Sequence, residues 1–134
     1  MLSNYRKHAA EREAEGIPPL PLDAKQTESL THLLENPPEN ENKDFLLDLL
    51  KNRVPPGVDE ASYVKATWLS SIALGNSCSP LINAKEATRL LGTMIGGYNV
   101  SALIEILQND NEELAECAQE GLSHTLLVYD AIND

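Results

Sequence analysis

The chain is poor in the residues that build stapled or metal-bound small folds. It has two cysteines, Cys78 and Cys117, far apart and without a CxxC partner. The clustered spacings of zinc and iron–sulfur sites are therefore missing. A disulfide-rich secreted scaffold is not expected either. Aromatic residues make up only 4%, so the core has to come from Leu, Ile, Val and Ala. Apolar runs such as Thr125–Tyr129 extend over a few residues, whereas a membrane helix needs ~20. No apolar stretch follows the charges near Met1, so no signal peptide is expected and the chain reads as cytoplasmic, with reduced thiols. Bases are scarce too. Ten Lys and Arg stand against 21 Asp and Glu, a net charge of −11. Phosphates would be repelled at long range, which argues against a general nucleic-acid or anionic-membrane binder.

A chain of 134 residues is one domain in size and can bury roughly 65–70% of its unfolded surface. Apolar residues at 42% are enough for a core. Periodicity is helical nearly throughout, and no segment alternates like a strand. A polar first helix is expected from Ser3 to Glu15, with Tyr5 and Ala9 on one side and Gly16 as its stop. Residues 17–22 are proline-rich and must be extended. Asp23 and Gln26 then form a capping-box pair for a helix with Leu30, Leu33 and Leu34 on its face. A third helix spans Lys43 to Asn52, with Phe45, Leu46, Leu49 and Leu50 in one stripe. Asp59 caps a fourth, with Val58 and Tyr63 as a hydrophobic staple and Tyr63, Ala66, Trp68, Leu69, Ile72 and Ala73 on its core face. Gly75 ends it. Asn83 caps a fifth carrying Ala87, Leu90, Leu91 and Met94. A short sixth presents Leu103, Ile104 and Leu107, and an Asn109-Asp110-Asn111 turn leads into a seventh. That last helix buries Leu114, Cys117, Ala118, Leu122, Thr125, Leu126 and Tyr129.

These elements make an all-α chain of about seven helices. Residues 100–126 read as one HEAT-like hairpin, two helices sharing an apolar seam. The third and fourth helices form an earlier pair, and the whole is expected to be a right-handed α-α superhelix of stacked hairpins. Charge is uneven: Leu90 to Asp134 contains eight acids and neither Lys nor Arg. Such a run is a solvated face or a docking face for a basic partner. The chain stops while still apolar and helical, without Gly, Pro or a basic cap, as a cut within a longer polypeptide would.

No catalytic constellation stands up. His8 lies among charges and reads as solvated, His32 as a core-rim residue, and His124 follows Ser123 on the last helix; a general base needs a hydrogen-bonded partner that none of them is assigned. Asp59-Glu60 is explained by capping. Gly92-Thr93-Met94-Ile95-Gly96-Gly97 lacks the lysine and the preceding strand of a phosphate loop. Trp68 reads as core or as a groove anchor.

Residues along the whole chain carry a resemblance. Tyr5-Arg6-Lys7-His8, Glu15-Gly16-Ile17 and Pro21-Leu22-Asp23-Ala24 open it. Phe45-Leu46-Leu47-Asp48-Leu49-Leu50 runs into Asn52-Arg53-Val54-Pro55-Pro56-Gly57-Val58-Asp59-Glu60. Leu90-Leu91-Gly92-Thr93-Met94, Gly96-Gly97-Tyr98-Asn99 and Leu122-Ser123-His124-Thr125 follow. In this order they resemble the N-terminal region of the bacterial aconitase B family. The resemblance implies that residues 1–134 are one HEAT-like N-terminal domain of a several-fold longer enzyme. That enzyme is a lyase interconverting citrate and isocitrate in the citric acid cycle with a 4Fe-4S cluster. It implies a protein-interaction and self-association role, homodimers, and packing beside the catalytic domains to form a route to the active site. The family's cluster cysteines and substrate-binding residues lie beyond Asp134, so the resemblance gives this chain no catalytic, metal or cofactor residue. The family also binds messenger RNA when the cluster is lost; the acidic charge makes this domain alone a poor RNA surface.

The alternative is a free-standing acidic helical-repeat adaptor that binds a partner protein; a small autonomous enzyme lacks a supporting constellation. Under the interaction reading two irregular strings face a neighbour: Asn52, Arg53, Val54, Pro55, Pro56 and Gly57, and Gly96, Gly97, Tyr98 and Asn99. Loops on a helical scaffold are where such proteins place contacts, although turn chemistry alone also explains the prolines and glycines.

Overall fold

The computed structural model describes residues 2–17, 20–55, 59–94, 98–108 and 111–133, the last ten of these as helical backbone only. Seven helices account for most of them: α1 (Leu2–Ala14), α2 (Ala24–Glu35), α3 (Lys43–Asn52), α4 (Glu60–Ala73), α5 (Ala84–Gly92), α6 (Tyr98–Leu107) and α7 (Glu112–Asn133). There is no strand among the described residues, and the fold is all-α.

The helix starts follow from local chemistry. Asp23 accepts from the backbone N–H of Gln26 at 2.7 Å, and the Gln26 side chain accepts from the Asp23 N–H at 3.0 Å, a reciprocal cap on two otherwise unpaired donors. Asn42, Asp59 and Asn83 cap α3, α4 and α5 one way only, each side chain accepting from a backbone N–H of the first turn. Gly16 and Gly75 follow α1 and α4 at φ of 74° and 83°, left-handed values that a side chain would make costly. Helix α1 is polar, with Tyr5 its one buried residue. It is held by side chains: Tyr5 packs 6.2 Å from the Phe45 ring, Arg6 lies 4.6 Å over that ring, and Arg6 pairs with Glu41. His8 is half-buried rather than solvated, and its Nε2 accepts the Leu20 N–H at 3.0 Å.

Helix α4 is the centre. Ala61, Ser62, Lys65, Ala66, Trp68, Leu69, Ile72 and Ala73 are all buried, a face too wide for one neighbour, and α2, α5 and α6 cover it. The expected pairing of α3 with α4 is not the main one: α2 packs on both. The cause is a tie between segments, since the Leu22 N–H donates to the Arg53 carbonyl at 2.8 Å and brings the start of α2 to the end of α3. Helix α7 packs on α5 and α6, so α6 and α7 do form the expected hairpin. At the α5–α7 crossing the backbones touch. A Cβ built on Gly92 would stand 2.8 Å from the Gly121 Cα, and one on Gly121 would stand 2.9 Å from the Gly92 Cα.

Two expected faces are corrected. Tyr63 is 56% exposed, because α4 turns Ala61, Ser62 and Lys65 inward instead. On α6 the buried stripe is Asn99, Ala102, Leu103 and Ile106, while Ile104 and Leu107 are 44% and 39% exposed. The large apolar side chains misled the phase. Asn99 takes a core position because its amide finds carbonyls there, Leu91 at 2.8 Å and Met94 at 3.2 Å. Cys117 is half-buried and Cys78 exposed. Val58, Asn109 and Asp110, and the side chains of His124, Thr125, Leu126 and Tyr129, lie outside the described residues.

Candidate interaction surface

The first expected loop is tied down. Asn52 ends α3 exposed, and its amide donates to Asp48 at 2.7 Å. Arg53 is half-buried; its N–H bonds the Leu49 carbonyl at 3.0 Å and its carbonyl takes Leu22. Val54 and Pro55 are half-buried. Pro55 lines a hollow of about 670 Å³ where the starts of α2 and α4 converge, with Asp23, Lys25, Asp59 and Glu60 on its walls. Pro56 and Gly57 lie outside the described residues, as do Gly96 and Gly97 of the second loop. The rest of that loop splits. Asn99 is fully buried and clamps the end of α5, whereas Tyr98 is exposed and meets the Tyr63 ring edge-on at 5.3 Å.

The first turn of α4 therefore lies between the two strings: Asp59 and Glu60 beside Pro55, and Tyr63 beside Tyr98. From Tyr63 a groove of about 390 Å³ runs between α4 and α2, lined by Glu28, Tyr63, Val64, Thr67, Trp68 and Ser71. Trp68 is nearly buried and donates its indole N–H to Glu35 at 2.9 Å. It is thus both core and groove lining. Sequence reasoning named Tyr63 as a core-face residue and Trp68 as core or groove anchor, and missed the groove that the two share. The signal lay in the spacing of Tyr63, Thr67 and Ser71, one stripe with the small polar residues of an outward face.

Lys65 is the anomaly of the core. It is 6% exposed, at the middle of the inward face of α4, with no ion pair or hydrogen bond among the described residues. Burial alone lowers its pKa from 10.5 to about 8, since the charged form loses its water. The hydroxyl of Ser62, one turn away, is also buried without a partner among the described residues.

The acidic third is arranged in rows. Glu113 pairs with Lys85 at 2.7 Å across α5 and α7. Glu112, Glu116 and Glu120 are exposed at successive turns of α7, and no ion pair among the described residues involves them. Like charges four residues apart weaken a helix slightly.

The side chains do not fit an iron–sulfur cluster. Among the described residues no group of three His, Cys, Asp or Glu converges to hold a metal ion, and the two thiols sit on different elements, one in the loop after α4 and one on α7. His32 is exposed, in a shallow hollow with Leu2, Ser29, Leu33 and Asn36. Among the described residues no helix is long and apolar enough to cross a membrane.

Comparison with known proteins agrees with the sequence reading. The family described as the aconitate B N-terminal domain matches residues 4–134. Aconitate hydratase B of Pseudomonas aeruginosa and that of Escherichia coli are each 58% identical over 134 residues, all of this chain and 15% of their own length. The Helicobacter pylori protein of the same name is 47% identical over 128 residues, 96% of this chain and again 15% of the relative. The chain thus spans about one seventh of the length of these relatives.

Proposed function

As the chain belongs to the aconitate B N-terminal domain family, we propose that it is the interaction domain of an iron–sulfur aconitate hydratase. In this reading residues 1–134 are one HEAT-like domain that performs no turnover by itself. It packs beside the catalytic domains of a longer cytoplasmic polypeptide, helps to form the route by which citrate and isocitrate reach the cluster, and contributes to homodimer formation. The observation that carries the reading is the match over 131 of 134 residues to a domain family whose name-bearing relatives are far longer. The stacking of α4 to α7, with α6 and α7 as a hairpin, is of the kind a HEAT-like array uses.

The row Glu112, Glu116 and Glu120 favours a second reading, a free-standing acidic adaptor with a basic partner. One pair of measurements separates them. The purified chain is supplied with citrate or isocitrate and assayed for cis-aconitate, and its mass is measured by sedimentation over a range of concentrations. No cis-aconitate together with concentration-dependent dimers is expected. Turnover would overturn the non-catalytic assignment. A monomer at all concentrations would remove the self-association role and leave the adaptor reading.

A further inference from the structure

The groove between α2 and α4 has a composition of its own. Aromatic surface comes from Tyr63 and Trp68, with Val64 and Thr67 between them. One carboxylate lines it, and two more lie on the same two helices. Glu28 lines it from α2, Glu60 lies one turn before Tyr63 on α4 and is exposed, and Glu35 holds the indole N–H of Trp68. No ion pair among the described residues engages Glu28 or Glu60, and Lys25, a turn before Glu28, is in none either. An acidic or neutral occupant would bury or crowd these carboxylates without compensation. A guanidinium suits both surfaces, because its flat face stacks on an aromatic ring while its edge donates two parallel hydrogen bonds to a carboxylate. The net charge of −11 draws such a group in.

We propose that the α2–α4 groove is a docking site for an arginine side chain presented by a basic segment of a partner polypeptide. The site deepens the interaction reading given above, and it names what the partner must carry. The ring of Tyr63 takes the face of the guanidinium, Trp68 lines the groove beside it, and Glu28 takes its edge.

Trp68 is the single tryptophan of the chain, so its fluorescence reports the groove directly. The 134-residue chain is titrated with a short glycine-spaced peptide carrying two arginines, and with the same peptide carrying citrulline in their place. A saturable change in Trp68 emission is expected with the arginine peptide, with roughly tenfold weaker binding of the citrulline peptide. Tyr63→Ala is expected to weaken binding about fivefold and Glu28→Gln about threefold. Both positions are exposed, so the variants fold, which circular dichroism checks. Glu13→Gln, exposed on α1, leaves the affinity unchanged. No saturable change, equal binding of the citrulline peptide, or unaltered binding in both groove variants would overturn the proposal. A failed titration beside intact self-association sinks the groove site alone and leaves the domain's proposed role standing.

Discussion

Two helix pairs hold this fold by opposite means. Helices α2 and α4 meet through long side chains. Leu30 and Leu34 are fully buried, and Trp68 spans the gap to its hydrogen bond with Glu35. Helices α5 and α7 meet through the lack of side chains, backbone on backbone at Gly92 and Gly121. The first kind of contact leaves room between the helices, and there the groove lies. The second closes the gap completely. The difference explains why the candidate docking surface is on the α2–α4 side, although the acidic residues concentrate on α7.

Trp68→Ala tests the side-chain joint and has the largest expected effect. Removing a buried indole should lower unfolding stability by about 3–5 kcal/mol, read by urea denaturation. Trp68→Phe, which keeps most of the volume and loses the N–H, should lower it by only about 1–2 kcal/mol. If the two variants were equally damaging, the hydrogen bond to Glu35 rather than the ring would be the joint.

Lys65→Met should stabilise. The native pKa of about 8 lies below the unfolded 10.5, so the buried ammonium opposes folding by about 3 kcal/mol at pH 7. The sign follows from proton counting. Between pH 8 and 10.5 the unfolded chain holds a proton that the native lysine has lost, so native stability from this group rises with pH across that window. Below pH 8 the penalty is complete and flat. The advantage of Lys65→Met over the wild type should therefore be greatest below pH 8 and shrink toward pH 10.5, as paired melts across that range would display. A constant advantage would mean that Lys65 finds solvent in the native state.

Gly92→Ala tests the backbone joint. The added methyl collides with the Cα of Gly121, and Gly121→Ala makes the reverse collision. Each should destabilise by about 1–3 kcal/mol from overpacking, less the ~0.5–1 kcal/mol that alanine gains in a helix. The double variant should lose less than the sum, since the helices need to separate only once. Additive losses would mean that the two glycines act through different neighbours.

These glycines also mark where sequence reading stopped. Caps are local, so Asp23 with Gln26, Asp59 and Asn83 were legible, and α3 was placed at its observed bounds. Apolar stripes found Leu30, Leu34, Leu46, Leu49 and Leu69. The same method credits size, so it gave neither Gly92 nor Gly121 a part in the packing. It put Ile104 and Leu107 inside in place of Asn99 and Ala102. The partner of His8 lies twelve residues away, across prolines, and no periodicity points to it. The groove was half-hidden for a related reason: it belongs to two helices, so Trp68 was weighed as an anchor without Tyr63, which was assigned to the core stripe.

The smallest expected effect bounds the comparison from the other side. Lys85 and Glu113 also cross from α5 to α7, and their hydrogen bond raises the lysine pKa and lowers that of the carboxylate. Both groups are exposed, so water and salt screen the pair and the side chains lose freedom in making it. The support it gives is lost at low pH, as Glu113 protonates, and at high pH, as Lys85 loses its proton. At neutral pH and physiological salt Glu113→Gln should leave the denaturation midpoint where the wild type has it, and only low salt should separate the two. A loss comparable to that of Gly92→Ala would reverse the argument. The crossing would then be held by charge at its rim, and the glycines would merely permit the approach that the ion pair enforces.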